Sequence, residues 1–198
     1  SHWGANIITH SLTKFICGNG TSMGGIVIDC GNFNFLKDEK FPSLSQPDPS
    51  YNNIRFSETF GDFGFAMKVK ADTLRDLGCT LSPQNAFYIL NGIETLNLRM
   101  KKHTDNALKV ATFLQQHPKV SYVSYAGLQK NKYYDLGKKY FPNGPGSIFT
   151  IKLKNGYKAC VSMVENAELF SHVANVGDTR SLIIHPASTT HSQLSDIE

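Results

Sequence analysis

Between Ser82 and Gln116 apolar residues recur at helical spacing: Phe87, Ile89, Leu90, Ile93, Leu96, Met100, Leu108, Ala111 and Leu114. Ser82 suits the N-cap, where its hydroxyl can accept from a free backbone amide. Pro83 suits the first helical position, where its missing N–H is no loss. The stretch is longer than the roughly 25 residues beyond which a single globular helix is unusual. Gly92 within it predicts a kink or a break into two helices. The apolar stripe is expected to pack into a core, with His103 a helix-surface residue rather than a ligand. The element reads as a bridge between one structural region before it and another after it.

Downstream of Pro118 the pattern alternates. Val120–Tyr125, Ser147–Lys154 and Ser181–Ile184 read as strands, and Lys132–Tyr140 and Tyr157–Leu169 as helices. This predicts α/β architecture, with a small open sheet backed by helices. Asn143-Gly144-Pro145-Gly146 reads as a turn. Upstream, residues 5–10 and 25–30 read as two short buried strands joined by a glycine-rich turn, a hairpin. Lys37–Asn53 is polar and carries Pro42, Pro47 and Pro49, which predicts loop; a surface loop and an active-site lid are both open. Helical patterning resumes over Phe60–Leu77.

The glycine-rich turn directly follows Ser11-Leu12-Thr13-Lys14. One lysine amine is thereby set beside two hydroxyls at the end of a strand. Such an amine can condense with an aldehyde, and the hydroxyls can donate to a phosphate. Pyridoxal phosphate carries both groups. Plainer readings stand beside this one: a solvated lysine, and hydroxyls that cap the local turn. Ser11-x-x-Lys14 also spells the nucleophile signature of penicillin-binding enzymes, but the Ser-Asp-Asn and Lys-Thr-Gly partners that chemistry needs do not occur.

Bulk properties exclude other classes. The net charge of +4 comes from dispersed lysines with no dense basic stripe, so nucleic-acid binding has no support. No apolar run approaches the roughly 18 residues of a membrane span. Cys17, Cys30, Cys79 and Cys160 lack metal-site spacing, which predicts reduced thiols in a cytoplasmic protein and no metal centre.

Three stretches in a fixed order carry a resemblance. The first runs from His10 through Lys14-Phe15 to Gly18-Asn19-Gly20-Thr21 and Gly24-Gly25. The second runs from Leu81-Ser82-Pro83 through Gly92-Ile93-Glu94-Thr95-Leu96 and Leu98-Arg99-Met100 to His103 and Asn106-Ala107. The third is Ala174-Asn175-Val176-Gly177-Asp178-Thr179-Arg180, then His185-Pro186 to His191. Together they resemble the fold-type I pyridoxal-phosphate enzymes of cysteine and methionine metabolism. Asn175-Val176-Gly177-Asp178 and the polar stretch Lys37–Gly61 are similar to the branch that acts on O-acetylhomoserine, the sulfhydrylases.

The resemblance implies pyridoxal 5'-phosphate as cofactor. It implies γ-replacement of the acetate of O-acetylhomoserine by sulfide or a thiol. Cystathionine γ-synthase or methionine γ-lyase chemistry is the alternative, as is a non-catalytic fragment of such an enzyme. Lys14 matches the cofactor-carrying, catalytic lysine, and Ser11 and Thr13 match the phosphate donors. Asn175 and Thr190 match substrate-binding positions, the former at the substrate α-carboxylate. His185 and His191 are expected to orient backbone, and Arg180 to be a surface or structural residue. Residues 1–80 correspond to the remainder of a large cofactor domain. Residues 81–198 correspond to a smaller C-terminal α/β domain entered by the kinked helix. Homo-oligomers, dimers or tetramers, are the family's habit. The family also has a phosphate loop, a ring-stacking aromatic residue and an aspartate upstream, and a carboxylate-gripping arginine downstream. None of these is matched here, so the 198-residue chain is expected to be incomplete and inactive alone.

Overall fold

The computed structural model describes residues 2–37 and 39–194. They form two compact units. The first takes the chain up to Leu12 and then Met23–Phe87; the second takes Thr13–Ser22 and the described chain from Tyr88 onward.

In the first unit, strands β1 (Ile7–Ser11) and β2 (Gly25–Asp29) pair antiparallel with Ile8 opposite Ile28 and Thr9 opposite Val27. This is the expected hairpin, but its connection, Thr13–Ser22, belongs to the other unit. The strands were expected to be buried, and Ile26, Val27 and Ile28 are exposed. A two-stranded ladder has no third strand to flank it and covers little of its own apolar surface.

The stretch read as loop, Lys37–Asn53, is instead partly helical. It contains α1 (Pro42–Ser45) and a 3-10 turn at Pro49–Tyr51. Pro42 and Pro49 sit at the first helical position, where proline starts a helix rather than breaking one. Asp48 organises the region: one carboxylate oxygen accepts from the Ser50 amide at 2.9 Å and the other from Lys68 Nζ at 2.6 Å. The Lys68 hydrogen bond holds the Asp48 carboxyl below its usual range. Lys68 also pairs with Asp72 at 2.9 Å and lies over the fully buried Phe56 ring. The helical run expected over Phe60–Leu77 begins earlier and is segmented: α2 (Phe56–Phe60), α3 (Gly64–Val69), a π turn at Lys70–Leu74, and α4 (Arg75–Leu77).

Helix α5 (Pro83–Glu94) starts as its sequence says, the Asn85 amide donating to Ser82 Oγ at 3.2 Å. The break falls at Thr95, not at Gly92, and α6 (Leu96–Gln116) follows. Gly92 is buried within α5, and a Cβ there would run into the carbonyl oxygens of Ile16 and Cys17. Its lack of a side chain serves close approach rather than bending. The expected core stripe is only partly buried: Ile89 and Ala111 are covered, whereas Phe87, Leu90, Ile93 and Leu108 are exposed. Spacing reports which residues share a helix face, not whether this chain supplies a neighbour for that face.

The rest of the second unit is built on β3 (Val120–Ser124), α7 (Tyr134–Tyr140), β4 (Thr150–Leu153) and α8 (Gly156–Glu165). β3 and β4 pair antiparallel with Val123 opposite Ile151. Their inner side chains join Ala107 and Ala111 of α6, with Tyr125, Leu128 and Leu153, in one core. The Tyr125 hydroxyl donates to Gly146 O at 2.7 Å, so a buried polar group is satisfied. A parallel pair, β5 (Ser171–His172) and β6 (Leu182–Ile183), is the last of the described strand pairings. The expected single open sheet is therefore corrected: the described strands form three two-stranded ladders.

Candidate active site

Ser11 closes β1 in the first unit and is exposed. Thr13 and Lys14 open the second unit as a half-buried turn, closed by the Gly18 amide donating to Lys14 O at 2.8 Å. Lys14 Nζ donates to Asn175 Oδ1 at 3.0 Å. The structure thus brings together two of the residues singled out from sequence.

Two further contacts hold the loop that presents Asn175. The Thr179 amide donates to Gly18 O at 2.9 Å. Gly177, at φ +73°, lies where a Cβ would collide with Phe15. Between them Asp178 is buried and takes Arg180 on both oxygens: Nε at 3.2 Å on one, Nη2 at 3.0 Å on the other, with the Arg180 amide at 2.9 Å. These Arg180 hydrogen bonds keep the Asp178 carboxyl below its usual range. Arg180 is an exposed residue whose guanidinium is spent on Asp178.

The neighbouring polar groups are tuned by the same turn. Cys17 is fully buried. Burial pushes its thiol up, but the Thr21 hydroxyl and the amides of Asn19, Thr21 and Ser22 outweigh that and hold it below its ordinary value. The His103 ring meets Phe15 edge-on at 5.7 Å. Burial, and then the Arg99 cation, push His103 below its ordinary value. His103 is half-buried rather than a plain surface residue.

Thr190 is exposed, and its hydroxyl pairs with the His191 ring at 2.8 Å; no hydrogen bond among the described residues joins it to Lys14 or Asn175. His185 pairs with Ser188 Oγ at 2.9 Å, within a 3-10 turn at Pro186–Ser188, and its ring meets Tyr157 edge-on. Sequence reasoning quoted Arg99 but gave it no role; its guanidinium reaches the backbone beside Lys14. The available signal was Thr95 and Arg99 at i, i+4, one turn apart on one helix face. Among the described residues, no group of His, Cys, Asp and Glu could hold a metal ion, and no helix is long and apolar enough to cross a membrane.

Within the second unit, the directed Lys14 amine, Thr13 beside it in sequence and the glycine-rich turn suit a ligand with an aldehyde and a phosphate. Comparison with known proteins points the same way. O-acetyl-L-homoserine sulfhydrylase of Leptospira meyeri is 50% identical over 98% of this chain, which spans 46% of that protein. Homocysteine synthase of Schizosaccharomyces pombe is 44% identical over 98% of the chain, again 46% of its own length. The chain thus spans about half the length of these curated relatives. Among solved structures, a putative O-acetylhomoserine (thiol)-lyase of Campylobacter jejuni, with a pyridoxyl-lysine phosphate, superimposes with TM-score 0.92 at 42% identity. It is covered over 46% of its chain, and 98% of the present chain matches. Cystathionine γ-synthase of Xanthomonas oryzae is more distant, with TM-score 0.71 at 27% identity, covering 98% of this chain and 42% of that one. These neighbours bear out the fold-type I expectation. The sequence pattern of the Cys/Met metabolism PLP-dependent enzymes matches residues 2–198, and the chain belongs to that family.

Proposed function

We propose that this chain is the part of a pyridoxal-phosphate-dependent transferase in which Lys14 carries the cofactor. The whole protein, on this reading, breaks the Cγ–O bond of O-acetylhomoserine, releases acetate, and forms a C–S bond to sulfide or a thiol. The product is homocysteine or a thioether. The observation that carries the reading is the Lys14–Asn175 hydrogen bond, made across 161 positions of sequence. The more distant cystathionine γ-synthase likeness makes that activity the weaker alternative. Residues 1–80 are assigned to the large cofactor domain and 81–198 to the small one. A cytoplasmic homo-oligomer is the accompanying proposal.

The cofactor, when bound, supplies an electron sink for charge developing beside the substrate's amino group. The Lys14 amine moves protons at the substrate carbons. Asn175 directs that amine with an uncharged acceptor, so it orients without forming an ion pair. Its side-chain N–H groups are donors suited to a substrate carboxylate. Ser11 and Thr13 donate to the phosphate. Thr190 is assigned to substrate on resemblance alone.

The test uses the intact protein. Borohydride reduction after addition of pyridoxal phosphate, followed by peptide mapping, should leave a pyridoxyl group on Lys14. Homocysteine should form from O-acetylhomoserine and sulfide. A reduced adduct on another lysine, or none, overturns the assignment; an adduct without turnover favours a non-catalytic cofactor-binding chain.

A further inference from the structure

A helix end leaves backbone carbonyls without intrahelical partners. At the end of α5, Gly92 O is taken by Arg99 Nη2 at 2.6 Å, and Arg99 Nε donates to Thr95 Oγ1 at 3.0 Å. The rest of the guanidinium leaves the helix pair. Nη1 donates to Phe15 O at 2.7 Å and Nη2 to Ile16 O at 3.2 Å. All four acceptors are uncharged oxygens, three of them backbone. A half-buried cation spent this way fixes the position of chain rather than neutralising a charge.

The chain it fixes is the turn that bears Lys14. Phe15 and Ile16 follow the lysine directly, and the Gly18 amide closes back on Lys14 O. On its other side the turn is held by Thr179 and Gly177, in the loop that brings Asn175 to the amine. The Lys14–Asn175 hydrogen bond therefore depends on both clamps, and hydrogen bonds weaken steeply as their angle opens. From this geometry we infer that Arg99 is a positioning residue for Lys14: by gripping the Phe15 and Ile16 carbonyls it sets where the amine stands relative to Asn175. The inference rests on the reading of Lys14 as the reactive amine. Lysine substitutes only in part, because one ammonium does not span all the acceptors of a planar fork.

Arg99→Met and Arg99→Lys, made in the intact protein, are compared with Leu153→Ala, a truncation in the core of the same unit away from this turn. A brief acetic anhydride pulse over a series of pH values, read by peptide mass mapping, gives the reactivity of Lys14 relative to the exposed Lys109. This readout needs no cofactor. Loss of the directed contact should raise relative labelling of Lys14 about tenfold in Arg99→Met, less in Arg99→Lys, and not at all in Leu153→Ala. Unchanged labelling in Arg99→Met overturns the proposal, as does an equal rise in Leu153→Ala, which would report general loosening. Should Arg99→Met fail to fold, Arg99→Lys decides on the same criterion. Borohydride mapping on wild-type protein runs in parallel. If it finds no pyridoxyl group on Lys14, the functional reading fails, while the labelling still judges the clamp.

Discussion

Lys14 and Asn175 meet at 3.0 Å from opposite ends of the chain, amine to amide oxygen. An uncharged acceptor orients the amine without forming an ion pair. A carboxylate in the same place would favour the ammonium form. Asn175→Asp should therefore slow trapping of Lys14 by pyridoxal phosphate and borohydride at neutral pH, by about tenfold. The sign follows because only the neutral amine attacks the aldehyde. An unchanged trapping rate would mean that the two side chains do not meet in solution.

Ser11 and Thr13 are separated by the buried Leu12, with Ser11 exposed and Thr13 half-buried. Neither belongs to the apolar core, so Ser11→Ala and Thr13→Ala should leave the fold intact. Each should weaken pyridoxal phosphate binding by about 1.5–3 kcal/mol, the worth of a hydrogen bond to a charged group. Equilibrium titration of the cofactor reads this directly. Unchanged dissociation constants in both variants would return the two hydroxyls to capping the turn.

Asp178 offers a prediction in pH. Its carboxyl is held below the ordinary value of 3.8 by Arg180, so the folded state binds this proton less readily than the unfolded chain. The stabilisation is present above 3.8 and is lost as pH falls below it through the folded value. Asp178→Asn should cost about 1–2 kcal/mol at neutral pH. That gap should close in acid, as read by thermal unfolding of the two proteins between neutrality and pH 3 or so. A gap independent of pH would show that the ion pair contributes nothing and that shape alone is being measured.

Local signals carried the elements whose causes are local. Ser82 caps α5, the glycine-rich turn joins β1 and β2, and the alternation after Pro118 becomes β3, α7, β4 and α8. Several of the failures share a cause, which is that the deciding partner lies far away in sequence. Pro49 reads as a breaker because Asp48, whose carboxylate caps its turn, is held by Lys68 20 positions away. β5 is two residues, Ser171-His172, with no alternation of their own, and exists through pairing with β6. At the site, Lys14 and Asn175 were visible as motif residues because their chemistry is distinctive. Arg99 was not, since an arginine on a helix announces nothing until the carbonyls it grips are in view.

Gly92 separates local propensity from tertiary demand most sharply, because the two predict opposite signs. It lies inside α5, where replacing glycine by alanine ordinarily stabilises a helix by about 1 kcal/mol. A glycine here predicts a kink or break in the helix, and on that expectation Gly92→Ala would straighten and strengthen the element. In the structure the break is at Thr95, and the α-carbon of Gly92 faces the carbonyl oxygens of Ile16 and Cys17. Those atoms are backbone and cannot rotate away. The Ile16 carbonyl is also gripped by Arg99, so making room for a methyl group would shift the turn that carries Lys14. Overpacking of this kind costs about 1–3 kcal/mol, which outweighs the propensity gain. Gly92→Ala should therefore lower the melting temperature and weaken pyridoxal phosphate binding in the same protein. A variant more stable than wild type, with cofactor affinity intact, would mean that the helix and the lysine turn do not pack as closely as these atoms require.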